Sequence, residues 1–211
     1  MAALDRILAS NAQWAADVAK HESMFFKQSA QGQTPHTLWI GCADSRVPES
    51  VVTGSKPGDI FVHRNIANQF HVDDGNALAV LRYAVEHLNV EHVVVVGHTS
   101  CGGAGACLAA AQSPTFSSNG PIATIPTLPA DADLNKWLDP LTRLAASLKL
   151  APDQGDAVNI LVEANVKKQV DNLAKTEIMR NAWAKGQKLS VHGWVYELGT
   201  GLLKDLNVSR A

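Results

Sequence analysis

Cysteine is scarce in this chain, three residues in 211. That is too few for a disulfide framework, and the odd count leaves one over. The usage suits a reducing compartment, so the cytoplasm is the expected location, with a mitochondrial one less favoured. An excess of charge of one sign is also lacking: 18 basic residues face 20 acidic ones, for a net charge of −2. A near-neutral chain has no electrostatic footprint for nucleic acid or an anionic membrane surface, so neither is expected as a partner. No apolar run reaches 18 residues, so nothing is expected to span a membrane. The first segment, MAALDRILASNAQWAADVAK, lacks the apolar core of a secretory signal. Its Asp5 and Asp17 also count against an amphipathic mitochondrial presequence.

What is present is ordinary globular content, 46% hydrophobic and 18% charged residues, which excludes intrinsic disorder. A chain of this size buries roughly 70% of its unfolded surface, enough for a fold without staples. No internal repeat or linker divides it, so one domain over 1–211 is expected.

Residues 4–28 read as one or two amphipathic helices, with Leu4, Leu8, Trp14, Val18 and Phe25 at helical spacings. TLWIG at 37–41 and DIFVHR at 59–64 read as short strands. A helix is predicted over 76–89, with Asp73 and Asp74 as candidate N-caps and Leu78, Leu81, Val85 and Leu88 on one face. HVVVVGH at 92–98 is the clearest strand. Its unbroken valines imply burial on both faces, as at the centre of a parallel sheet. A small-residue helix follows from CGGAGACLAAA, then a Pro-rich loop over 112–130 and a helix through Leu134, Trp137, Leu138, Leu141 and Leu144. One more helical stretch is predicted from Ala157 to Ala184, with Gly186 as its C-cap. KLSVHGWVYEL and GLLKDL read as a strand and a returning hairpin. Alternating strands and helices predict an α/β fold. Its mainly parallel sheet is flanked by helices and carries an antiparallel edge strand.

Ligands in such sheets bind beyond the carboxyl ends of the strands, and two strand ends carry chemistry here. TLWIG runs into Cys42-Ala43-Asp44-Ser45-Arg46, and VVVVG into His98-Thr99-Ser100-Cys101. Cys42, His98 and Cys101 form a Cys₂His set, which zinc accepts as three protein ligands with an open fourth position. The plain alternative is core thiols beside a satisfied histidine, and the spacing leaves both readings open. Cys107, in an Ala-rich helix, reads as a small core residue. Asp44 is close enough in sequence to orient a zinc-bound hydroxide or to pair with Arg46; the plain alternative is a solvated ion pair. A cysteine–arginine phosphate loop has five residues between its two ends, and only three separate Cys42 from Arg46. His21, His36, His71, His87 and His92 have no partner spacing and read as surface or satisfied histidines.

In order, CADSR at 42–46, GDIFVHRNIAN at 58–68, GHTSCGG at 97–103, EANVKKQVDNL at 163–173 and HGWVYELGTGLL at 192–203 resemble the β-class carbonic anhydrases. The resemblance covers nearly the whole chain; residues 112–133 depart from it, being longer and richer in proline. It implies reversible hydration of CO₂ to bicarbonate and a proton, by attack of zinc-bound hydroxide, with one Zn²⁺ per chain on Cys42, His98 and Cys101. Asp44 would hold the hydrogen bond of the hydroxide, oriented by Arg46. Phe61 and Tyr83 would line the CO₂ pocket, Gln33 would reach substrate across a dimer interface, and the Gly102 N–H would contact bicarbonate. It further implies a homodimer, or a dimer of dimers, with residues 1–30 as a helical arm packed on the partner. In one branch of the family a Trp, an Arg and a Tyr build a second bicarbonate pocket. The matching residues here are Trp39, Arg64 and Tyr196, with Gly41 leaving room. Two alternatives stand beside this reading: a same-fold hydrolase of COS or CS₂, and a zinc or redox-sensing module without turnover.

Overall fold

A computed structural model describes residues 3–211. Two helices come first, α1 (Ala3–His21) and α2 (Phe25–Ser29). The body follows as β1 (Thr37–Cys42), α3 (Glu49–Thr53), β2 (Ile60–Asn65), α4 (Gly75–Arg82), β3 (His92–His98) and α5 (Gly102–Ala111). It continues with α6 (Asp133–Leu148), α7 (Ala157–Ala174), α8 (Glu177–Ala184), β4 (Ser190–Glu197) and β5 (Leu202–Asp205). The sheet order is β2-β1-β3-β4-β5, parallel except for β5, which returns antiparallel on β4 as the hairpin reading requires. No described helix is long and apolar enough to cross a membrane.

Strand side chains alternate between faces, and the two faces are unequal here. Leu38, Ile40, Val93, Val95, Val191 and Val195 join the large core with the helices; Trp39, Val94 and Val96 form a small second cluster with Trp194, Tyr196 and Leu203. Helix α7 lies very close over the sheet, because a Cβ on Gly97 would come within 2.8 Å of Val166, and one on Gly193 within 2.9 Å of the same side chain. Glycine at both positions therefore admits the helix.

The structure corrects three details of the sequence reading. The single helix expected over 157–184 is two, broken at Lys175–Thr176. Thr176 Oγ1 accepts from Met179 N at 3.3 Å and donates to the Leu173 carbonyl, capping α8 while closing α7. Apolar periodicity carries on through this break because both helices bury the same side. The helix expected over 76–89 is α-helical only to Arg82. A wider turn then carries Tyr83–His87, where Leu88 N bonds the Tyr83 carbonyl five residues back. Asp74 is its N-cap, accepting from Asn76 N. The short α3 was not anticipated.

Candidate functional site

The carboxyl ends of β1 and β3 sit side by side, Gly41 paired with Val96. The chain beyond each end turns into the same space, and this brings Cys42, His98 and Cys101 together. Their ligand atoms all lie within 4.8 Å of one another, and all three residues are buried. Among the described residues this is the one such group of three.

The donors fit zinc in detail. His98 Nδ1 lies 3.0 Å from the Thr99 carbonyl, which fixes the proton on Nδ1 and leaves the lone pair on Nε2. That Nε2 is buried and has no hydrogen-bond partner. Burial lowers the His98 pKa, but the nearby Cys42 sulfur, the Thr99 carbonyl and the Cys42 and Asp44 charges outweigh it, for a net rise. The Cys42 thiol is pulled down to about 4, foremost by donation from Cys101, against burial and with help from His98 and the backbone N–H groups of Asp44 and Ala67. Cys101 moves the other way, pushed up by its Cys42 neighbour and by burial, although the N–H groups of Gly103 and Ala104 favour its thiolate. Two sulfurs this close disfavour two thiolates unless a cation joins them. A divalent cation between them satisfies both sulfurs and the orphaned Nε2 at once.

Asp44 stands beside this group, its Oδ2 3.7 Å from His98 Nε2. Arg46 grips it three times: Nε to Oδ1 at 2.9 Å, Nη2 to Oδ2 at 2.7 Å and the backbone N to Oδ1 at 2.9 Å. The hydrogen bonds from Arg46 hold the Asp44 carboxyl well below the usual carboxylate range. Arg46 Nη2 also reaches the Ser100 carbonyl at 3.3 Å, tying the two ligand loops together. Gly102 is the first residue of α5, directly after the ligand Cys101.

Other residues singled out in the sequence lie further off. Phe61 and Tyr83 stack on each other, centroids 5.7 Å apart. Phe61 pairs with Leu38, four residues before Cys42, which is about 13 Å along the strand. Gln33 is exposed in the segment between α2 and β1. One chain therefore does not gather these three around the cysteines. Trp39, Gly41 and Arg64 share the face of the smaller cluster, Gly41 pairing with Arg64, and Tyr196 packs in that cluster. Trp39 Nε1 is buried without a partner, and a Cβ on Gly41 would collide with it. Arg64 donates to the carbonyls of Cys42 (2.8 Å) and Asp44 (2.6 Å). Cys107 is a fully buried core thiol, as expected. His92, read as solitary, lies 3.2 Å from His192. The residues the sequence reading missed are Ala67, packed against Gly103, and, on α7, Asn159, whose Oδ1 accepts from Ser100 N, and Asn165, whose amide donates to the Ala67 carbonyl.

The family described as "Carbonic anhydrase" matches residues 37–203. The chain is 38% identical over 209 residues to a carbonic anhydrase of Emericella nidulans, covering 97% of this chain and 83% of that protein. Among solved structures it is similar to one of two tetrameric β-carbonic anhydrases of Sordaria macrospora. That match has 37% identity, covers 99% of this chain and 98% of the other, and gives a TM-score of 0.83. The Coccomyxa β-carbonic anhydrase in complex with acetazolamide is likewise 37% identical, over 98% of this chain and 87% of its own, with a TM-score of 0.81.

Proposed function

The chain belongs to the β-carbonic anhydrase family, and from that premise we propose which of its residues carry the reaction. The reaction is the reversible hydration of CO₂ to bicarbonate and a proton; the enzyme is a lyase and its metal is zinc. Cys42, His98 and Cys101 would hold that zinc. When bound, it supplies a hydroxide nucleophile near neutral pH and takes up charge as the bond to carbon forms.

Asp44 accepts the hydrogen bond of the nucleophile and so turns a lone pair toward carbon. Its ionisation, secured by Arg46, and its 3.7 Å distance from His98 Nε2 support this role. Arg46 acts by holding both carboxylate oxygens, which keeps Asp44 off the metal. The N–H of Gly102 belongs to the first turn of α5, where no intrahelical acceptor exists, and it points an anion-binding dipole at the product. The stacked Phe61 and Tyr83 flank the edge strand β2, and Gln33 is exposed; these three serve the site of a neighbouring copy rather than their own. The chain is accordingly a homodimer or a dimer of dimers built from one domain over 1–211, with 1–30 as the arm on the partner. The tetrameric Sordaria relative supports the larger assembly.

Trp39, Arg64 and Tyr196 form a second bicarbonate pocket. The unpartnered Trp39 indole N–H, next to the side-chain-free Gly41, is the donor such an anion needs. An anion that drew Arg64 off the Cys42 and Asp44 carbonyls would loosen Asp44 from Arg46.

The single observation that carries the catalytic reading is the buried Cys₂His set with a free Nε2 beside an ion-paired Asp44. Metal analysis and stopped-flow CO₂ hydration test it. One zinc per chain and rapid hydration are expected, with both lost in Cys42→Ser or Cys101→Ser. Stoichiometric zinc in the double variant would overturn the ligand set.

A further inference from the structure

The turn that follows β2 contains two consecutive non-glycine residues with left-handed backbones, Ala67 (φ +61°) and Asn68 (φ +45°). Alanine holds that conformation at a cost its surroundings must offset, whereas asparagine enters it more readily. Ala67 is 1% exposed, and the turn is tied to the Cys42 loop, Ala43 N donating to the Asn65 carbonyl at 2.8 Å. The Ala67 Cβ lies against the other ligand loop, where a Cβ on Gly103 would meet it at 3.2 Å. The turn is therefore wedged between the loops that carry Cys42 and Cys101.

Helix α7 imposes it. Asn165, Gln169 and Asn172 stand at i, i+4 and i+7, on one helical face. Asn165 Nδ2 donates to the Ala67 carbonyl at 2.8 Å, and Gln169 Nε2 donates to Asn165 Oδ1 at 2.7 Å. Gln169 Oε1 accepts from Phe70 N and from Asn172 Nδ2, both at 3.0 Å, and Asn172 Nδ2 also reaches the Phe70 carbonyl at 3.0 Å. Each amide fixes the next. Because Gln169 Oε1 faces the Phe70 N–H, its NH₂ faces Asn165 Oδ1, and the NH₂ of Asn165 is left for Ala67. Asn165 and Gln169 are 2% and 4% exposed, and a buried hydrogen-bond network of this kind favours one geometry. The same helix touches the other loop. Asn159 Oδ1 accepts from Ser100 N at 3.2 Å, and Ser100, between His98 and Cys101, is again left-handed at φ +56°.

We propose that the amide ladder Asn165–Gln169–Asn172 positions the zinc centre: it imposes the left-handed turn at Ala67–Asn68 and thereby holds that turn against the loops that carry Cys42 and Cys101. The proposal rests on the Cys42–His98–Cys101 zinc reading and adds to it residues that touch neither metal nor substrate. Groups packed behind the ligands set the ligands' orientation, which is how they govern metal affinity.

The test reads zinc affinity by chelator competition and the thiolate-to-metal absorption of the cobalt(II)-substituted protein. Asn165→Asp keeps the size, removes the donor and turns a carboxylate oxygen toward the Ala67 carbonyl. It is expected to weaken zinc about 10–100-fold and to move the cobalt–thiolate band. Asn172→Ala, at the half-buried outer end, perturbs folding less and is expected to shift both readouts the same way by a few-fold. Glycine adopts φ > 0 without side-chain cost, so Ala67→Gly in the Asn165→Asp background is expected to recover most of the lost affinity. Thr142→Val removes a buried Thr124–Thr142 hydrogen bond of 2.7 Å that meets neither ligand loop. It is expected to lower the thermal midpoint and leave zinc affinity and the cobalt band alone. Wild-type zinc affinity and spectrum in both Asn165→Asp and Asn172→Ala, with only stability reduced, would overturn the proposal. So would a failure of Ala67→Gly to restore affinity. A wild-type chain that binds no zinc would overturn the metal centre itself.

Discussion

At the scale of single residues, the pair Asp44–Arg46 separates binding from turnover. If Asp44 orients the nucleophile, Asp44→Asn keeps zinc at one per chain and loses about 10²-fold or more of kcat, the range set by a misplaced proton acceptor. Arg46→Ala is expected to do the same, because an ungripped Asp44 leaves its place. The double variant is then no worse than the poorer single one, as befits two groups acting as a unit; additive losses, measured by stopped flow on zinc-replete proteins, would contradict that. Cys107 gives a second prediction. Burial pushes its thiol up to about 11 from an ordinary value of 9.0. A folded-state pKa raised above the unfolded one contributes stability that is full below about pH 9 and lost as pH rises through about 11. Cys107→Ala is expected to flatten the fall in stability across pH 9–11 by on the order of 2 kcal/mol, read from denaturant midpoints; an unchanged slope would show that Cys107 ionises freely in the fold. The grouping of Cys42, His98 and Cys101 and the pair Asp44–Arg46 were legible in the sequence, because they lie just past two apolar runs and carry side chains suited to chemistry. Ala67 and Asn165 were not. What matters in Ala67 is a φ angle, and what matters in Asn165 is an amide turned toward a carbonyl, and residue type announces neither.

Among elements, the strands were the easiest to read. HVVVVGH became β3 with the expected bounds, since unbroken β-branched residues suit only a strand covered on both sides. The α7–α8 break was hidden, because the cap is one threonine in a continuous apolar pattern. The segment EANVKKQVDNL entered as part of a family likeness; its lysines are indeed exposed, while its amides turn inward to the turn after β2. The ends of β1 and β2 also carry the proposed bicarbonate pocket, and that is testable there. Trp39→Phe removes one N–H donor while keeping a ring in the smaller cluster, and Tyr196→Phe removes one hydroxyl. Each is expected to keep zinc and basal activity at saturating CO₂ within about two-fold, and to raise the bicarbonate concentration for half-inhibition roughly ten-fold or more, the value of one hydrogen bond to a charged group at about 1.5 kcal/mol or above. Bicarbonate inhibition curves at fixed pH that overlie the wild type in both variants would leave only product inhibition at the metal.

The molecule as a whole has an arm with nothing of its own to hold. α1 has no buried residue, and Leu4, Ile7, Leu8 and Trp14 are 73%, 64%, 70% and 44% exposed. It meets α2 through Trp14, edge-on to Phe26, and just past its end an exposed Lys56–Glu22 pair of 2.7 Å is worth well under 1 kcal/mol. Burying four such side chains against another copy is worth about 1.5–3 kcal/mol each. That gain must offset the entropy of association and can exceed it. Removing α1 is therefore expected to leave a chain that folds and binds zinc with nearly unchanged stability, because α1 buries none of its residues within its own subunit. Light scattering should show a smaller species than the full chain at the same concentration. Activity should fall with the assembly, and recover in part at high protein concentration, because in the proposed assembly Gln33, Phe61 and Tyr83 would complete a site only when a second copy brings them. A truncated chain that kept both the full-length mass and full activity would show that the arm is idle. One that became monomeric yet stayed fully active at every dilution would show that a single chain builds the whole pocket.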